Sequence, residues 1–156
     1  MDNSSSDSAG VRVPPPFIYL TGLLVGIFGG RYLPGALPRG PWLVGAGFLI
    51  FALGFVVARS AIARFRNAGN DPNPNMPVND LVVDGPFRLT RNPMYVGLAL
   101  VYVAIALWAA SLWALLLLIG VMLVIRYVVV AREERYMTRR FGDAYLDYTK
   151  RVRRWI

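Results

Sequence analysis

The chain is 156 residues long, 56% hydrophobic, and carries a net charge of +8, which is enough length for one domain and too little for two. It contains no cysteine and no histidine, so a disulfide framework, a thiolate nucleophile, a Cys or His metal site and a serine triad of the usual kind are excluded. The positive charge does not point to nucleic acid, because the basic residues flank long apolar runs and are not interleaved with aromatics on a polar domain.

The opening MDNSSSDSAG is rich in Ser and Asp, which predicts a disordered tail over residues 1–16, and it lacks the basic region of a signal peptide. One apolar run extends from Phe17 to about Leu33. A second, from Pro41 to Ala58, is free of charge and closes on Arg59, Arg64 and Arg66. Each approaches the ~17–25 residues that cross a hydrocarbon core. Residues 67–80, NAGNDPNPNMPVND, hold three prolines, which forbid regular helix, and they are long for a connection, as a loop that covers something would be.

From Asn92 to Ile125 there are 34 positions without a charge. A single helix of that length would reach about 50 Å against a core of about 30 Å. The spacing therefore predicts a hairpin that turns within WAASLW, Trp108 to Trp113, with a tryptophan at each shoulder for the interface. The expected spans are about 17–33, 42–63, 94–109 and 112–131. FGDAYLDY, residues 141–148, reads as an amphipathic helix with Phe141, Tyr145 and Tyr148 on one stripe, suited to the membrane surface. The fold class expected is all-α: a polytopic membrane protein with four transmembrane helices, including the hairpin, and a C-terminal interfacial helix. Residues 17–156 would form its single domain.

Only Arg31 and Arg39 lie between the first two spans, and the hairpin turn holds no basic residue. The other fifteen of the seventeen lie in the N-terminal tail (Arg12), around the 59–91 connection, or from Arg126 onward. Cytoplasmic loops collect Arg and Lys, so both termini are expected on the cytoplasmic side.

Three polar groups stand close to membrane depth: LVVDGPFRLTRNPMY (81–95), Arg126 inside the fourth span, and AREERYMTRRFGDAYLDYTKRVRRW (131–155). Glu133 and Glu134, the only glutamates, fall where the fourth helix is expected to end. A helix C-terminus is partially negative, so the pair there needs compensation. Arg126 is seven residues earlier, two turns up the same face, and intramembrane charge usually faces a polar cavity. Each piece also has a plain reading, as an interfacial salt-bridge cluster, an anchor, a first-turn proline or a belt aromatic. No Gly-rich phosphate loop or dinucleotide fingerprint is present.

Taken in order, LVVDGPFRLTRNPMYVG, a helical hairpin, EE and FGDAYLDYTKRV resemble the integral-membrane methyltransferases that include isoprenylcysteine carboxyl and phospholipid methyltransferases, over roughly residues 78–152. The resemblance implies S-adenosylmethionine (SAM) as methyl donor at the cytoplasmic face, with no metal. It implies that Asn79, Asp80, Leu81 and Val82 line the adenosine side and that Phe87 packs on the cofactor. Asn92, Pro93, Met94 and Tyr95 would contact it, and Glu133 would bind its amino acid portion with Glu134 in support. Arg126 and Arg151 are the candidates to orient a carboxylate acceptor, which makes Arg126, Glu134 and Arg151 the expected catalytic set. Relatives acting on prenylated cysteine have histidine where this chain has Asn92 and arginine where it has Val129.

The chemistry agrees: a carboxylate can pair with the ammonium of SAM, an arginine with its carboxylate, and an aromatic ring with its adenine or sulfonium. The expected partners are the lipid bilayer and a lipophilic or small methyl acceptor, a prenylcysteine-like carboxylate among them; oligomeric state stays open. Two alternatives remain at this level. One is an NADPH-dependent membrane reductase, since some sterol reductases resemble this C-terminal region, and the other is a non-catalytic membrane scaffold.

Overall fold

Proline sets where three of the helices begin. Pro15, Pro41 and Pro93 each sit in a first helical turn, where the missing N–H would have had no partner and the fixed φ already suits the helix. In the computed structural model, which describes residues 9–11 and 13–156, the elements are α1 (Pro15–Gly29), α2 (Pro41–Asn67), α3 (Pro93–Trp108), α4 (Leu112–Val124), α5 (Ala131–Phe141) and α6 (Asp143–Arg151). A π-helical turn, Ile125–Val130, joins α4 to α5 without a break. No strand occurs among the described residues, where Ala36 and Ser111 make one isolated antiparallel bridge.

Among the described residues two helices are long and apolar enough to cross a membrane, Pro41–Asn67 and the continuous Leu112–Phe141; Pro93–Trp108 is apolar and shorter. Phe17, Phe48, Leu49 and Ile119 are each at least 60% exposed, an outer surface that suits lipid better than water. The hairpin turns inside WAASLW. Ser111 caps α4 by accepting from the Ala114 amide at 3.2 Å and donates to the Gly26 carbonyl at 3.0 Å. The two tryptophans pin the turn from both sides, Trp108 donating to the Val44 carbonyl at 3.3 Å and Trp113 to that of Pro34 at 2.9 Å.

Small residues decide which helices touch. α2 packs chiefly on α3 and α1 on α4. Gly54 and Gly97 bring the first pair together; Gly22 and Gly26 do so for the second, against Val121 and Ala114. The core between α1, α3 and α4 is filled by Tyr19, Leu23, Tyr102, Val121 and Ile125, with the Tyr102 hydroxyl donating to the Ala114 carbonyl at 2.8 Å.

Four expectations need correction. The fourth helix does not stop near residue 131 but runs on to Phe141. Glu133 and Glu134 therefore sit within a helix, free of the C-terminal dipole. A π turn also holds one residue more than an α turn, which rotates the face beyond it by about 100°. Arg126 consequently does not share a face with Glu133; it is exposed, its guanidinium over the Tyr127 ring at 5.4 Å.

The third correction concerns the C-terminal stripe. Gly142, at φ 53°, separates α5 from α6, so Phe141 ends one helix while Tyr145 and Tyr148 are buried on the next, facing protein and not the membrane surface. The last concerns the tail. Helix starts at Pro15, and Val11 is buried in the core, packed with Ile125 and Val129, because a valine has apolar area to hide even in a polar tail. The disorder expected over 1–8 and the charge of Arg12 lie outside the described residues.

Candidate functional site

The RNP stretch is positioned by the C-terminal segment, which lies against it. The Arg91 amide donates to the Arg153 carbonyl at 2.9 Å, while Thr90 Oγ1 (2.9 Å) and Asn92 Nδ2 (3.0 Å) both donate to that of Arg154. Tyr148 closes the other side, its hydroxyl donating to the Phe87 carbonyl at 2.6 Å. The residues before α3 are thereby clamped between the end of the chain and a short 3-10 turn, Gly85–Arg88.

That clamp sets Tyr95 against α5. Its hydroxyl donates to Glu133 Oε1 at 2.5 Å, and its carbonyl accepts from the Tyr19 hydroxyl at 3.0 Å. One residue on, Glu134 is held by two arginines. Arg154 binds it in a fork, Nε to Oε1 at 2.9 Å and Nη2 to Oε2 at 2.6 Å, and Arg91 Nη1 lies 3.1 Å from Oε1. The adjacent carboxylates differ in kind: among the described residues Glu134 is paired with two cations and Glu133 with a hydroxyl.

Electrostatics follow from that difference. Glu133 lies beyond the apolar part of its helix, and burial, opposed by the Tyr95 hydrogen bond and reinforced by Glu134, pushes its carboxyl up to about 7. Tyr145 is pushed up to about 12, by burial first and the Glu134 charge next, so it stays protonated at neutral pH. Arg91 Nε is buried without a hydrogen-bond partner among the described residues, and the same guanidinium lies beside the Tyr145 hydroxyl, whose ionisation it favours against the effect of burial.

These groups face one cavity of about 120 Å³ that opens to solvent. It is lined by Leu81, Val82, Phe87, Asn92, Pro93, Met94, Tyr95, Glu133 and Glu134, nine of the residues singled out from the sequence. Four others lie elsewhere. Asn79 and Asp80 donate their amides to Asn70 Oδ1 at the neck of the 67–80 connection and do not line the cavity. Arg126 is on the outer face for the reason given above. Arg151 is exposed, with Nε donating to the Asp147 carbonyl at 3.3 Å, an ordinary bond within α6. Val129 is fully buried in the helix core.

Several lining residues were not anticipated. Phe65, in the last turn of α2, stacks on Phe87 with ring centroids 6.2 Å apart. Tyr136, Met137, Tyr145 and Tyr148 come from α5 and α6, and Pro72, Pro74 and Met76 from the long connection. The prolines in a loop too long for its task were a usable signal for the last group. For Arg154 as partner of Glu134 the only signal was charge complementarity with one of several C-terminal arginines.

The Glu134 cluster yields a stability prediction. Arg91, Glu134 and Arg154 side chains are 14, 17 and 33% exposed, so removing the carboxylate leaves two poorly hydrated guanidiniums without a counter-charge. Glu134→Ala is expected to cost about 3 kcal/mol, read as a lower midpoint in thermal unfolding of the detergent-solubilised protein. Glu134→Gln, which keeps two acceptor lone pairs, should fall between it and the parent.

No solved structure matches the chain. It is 43% identical over 63 residues to an uncharacterized protein of Haemophilus influenzae, a stretch covering 40% of this chain and all of that one. The phospholipid methyltransferase family profile matches residues 42–144, which takes in α2, the long connection, the hairpin and the Glu133–Glu134 pair. The chain belongs to the phospholipid methyltransferase family of membrane enzymes.

Proposed function

We propose that the chain transfers a methyl group from SAM to a lipophilic acceptor at the cytoplasmic face of a membrane. The observation that supports this most is the Tyr95–Glu133 bond of 2.5 Å at a cavity that Arg91 also lines. The donor set fits the cofactor group by group. Glu133 is paired with no cation among the described residues and suits an ammonium; the Arg91 guanidinium suits a carboxylate; Phe87 and Phe65 offer ring faces to an adenine or a sulfonium. Bound SAM supplies an already activated methyl group, which dispenses with histidine and metal. The chain's part is to hold the donor, exclude water and align the acceptor.

Glu134 acts through Arg91 and Arg154, which fix the RNP stretch and leave Glu133 to the ligand. Asn92 spends its amide on the chain terminus, and Val129 is buried. Neither supplies the imidazole or the arginine of prenylcysteine-specific relatives, which favours a different membrane-borne acceptor. In this reading α1 and α3 complete four spans with α2 and the long fourth helix. Residues 17–156 form one domain, both termini face the cytoplasm, and the acceptor comes from the bilayer. The family's methyltransferase chemistry favours this over the reductase and scaffold alternatives.

The test is to incubate the purified protein with methyl-labelled SAM, total membrane lipid and prenylcysteine analogues. Label is expected in the lipid fraction and not in the analogues. Absence of SAM binding by calorimetry, together with absence of labelled product, would overturn the proposal.

A further inference from the structure

The connection after α2 leaves through Gly69, in the left-handed region at φ 74°, and is shut at its neck by one buried side chain. Asn70, 4% exposed, accepts from the Asn79 and Asp80 amides at 2.7 and 3.1 Å and donates to the Asp80 carbonyl at 2.8 Å. Asn79 returns a bond to the Gly69 carbonyl at 2.6 Å. The two ends are thus tied together, while the stretch between them crosses the cavity, with Pro72, Pro74 and Met76 on its wall.

Away from the neck, that stretch makes three hydrogen bonds to the rest of the described residues. The Ala9 amide donates to the Pro74 carbonyl at 3.2 Å. The Val78 amide donates to the Tyr136 hydroxyl at 3.0 Å, and Arg140 Nε donates to the Val78 carbonyl at 3.2 Å. Two of these three bonds converge on Val78, and both come from α5, the helix that carries Glu133. A segment with a closed neck and few outside bonds opens locally at low cost, without loss of the fold.

We propose that residues 71–78 are a cover over the cofactor side of the cavity, latched to α5 at Val78 by Tyr136 and Arg140, and that this latch sets how fast the cofactor leaves. The inference rests on the SAM reading. Tyr136 and Arg140 are positioning residues. Arg140 does not line the cavity, and it reaches the cover at the Val78 carbonyl. The cover follows the last basic turn of α2, with Arg64 and Arg66, which puts it on the aqueous side, away from the route of a bilayer-borne acceptor.

The test uses the full chain in lipid nanodiscs and measures SAM dissociation by rapid dilution, alongside hydrogen exchange of residues 71–78. Tyr136→Phe keeps the buried ring and Arg140→Gln alters an exposed position, so both should fold. Each is expected to raise the SAM off-rate about tenfold, the order of one lost hydrogen bond, and to speed exchange at the Val78 amide; Arg140→Gln, outside the cavity lining, is expected to leave the acceptor KM unchanged. In the parent, SAM is expected to slow exchange across 71–78.

A parent that does not bind SAM overturns the methyltransferase reading, and this one with it. A parent that binds SAM overturns the cover alone if the variant off-rates equal its own, or if exchange in 71–78 is indifferent to SAM.

Discussion

Glu133→Gln is expected to lower SAM affinity about 100-fold and, at the same time, to raise the thermal stability of the unliganded protein at pH 8. The first effect follows from the loss of a charge-assisted contact to the ligand ammonium, worth about 2–3 kcal/mol in a partly dehydrated site. The second follows from the titration of Glu133 itself. Burial raises its carboxyl from 4.5 to about 7 in the folded chain, so between those two values the folded state binds more protons than the unfolded one. Stability is then greatest below the unfolded value, falls as pH rises through the window, and levels off above the folded value.

Glutamine carries no charge to strand, and it still offers an oxygen to the Tyr95 hydroxyl. The variant should therefore match the parent at pH 4, exceed it increasingly through the window, and keep its full advantage at pH 8. Affinity shows the mirror image: the parent's SAM affinity drops as pH falls below about 7, and the variant's is flat. Unfolding midpoints at several pH values and calorimetry at the same values check both. A variant less stable than the parent at pH 8 would mean that the ionised carboxylate is stabilised by its neighbours, contrary to the site as described.

Legibility in the sequence tracked how local each signal was. The three helix-opening prolines and the WAASLW turn are local, and the observed boundaries fall within a few residues of expectation at those ends. A constant helical period puts Arg126 on the Glu133 face, and nothing in IRYVVV announces the π turn that rotates it away. The resemblance implies ligand contact for Asn79 and Asp80, whereas their amides are bound by Asn70 across a loop neck that depends on three-dimensional closure. The Glu133–Glu134 pair was visible as a pair. Its division into one compensated and one uncompensated carboxylate was not, because that depends on Arg154, twenty residues away. Pairings across the chain are where a single sequence falls silent, and most of the cavity wall is built from them.

The second large effect is expected where helices meet. Gly97→Ala should destabilise the protein by about 2–3 kcal/mol, whereas Gly120→Ala, the same substitution within an apolar helix, should stabilise it by up to about 1 kcal/mol through helix propensity alone. The difference lies in what the new methyl group would meet. At Gly97 it would stand 2.7 Å from Ala58 Cβ and 2.8 Å from the Ala58 nitrogen and the Gly54 oxygen. Backbone atoms cannot rotate aside, so α2 would have to withdraw from α3. At Gly120 nothing lies within 4 Å. Withdrawal of α2 reaches the site as well, because Ala61 and Phe65 on α2 pack with Val82, Phe87 and Met94 in one cluster. Gly97→Ala should therefore weaken SAM binding although its own side chain touches no ligand, and Gly120→Ala should leave binding unchanged. Thermal unfolding in detergent, paired with calorimetry, separates the two. Equal midpoints for Gly97→Ala and the parent would mean that α2 does not seat on α3 through these glycines, and the cavity would then lack the wall that Phe65 provides.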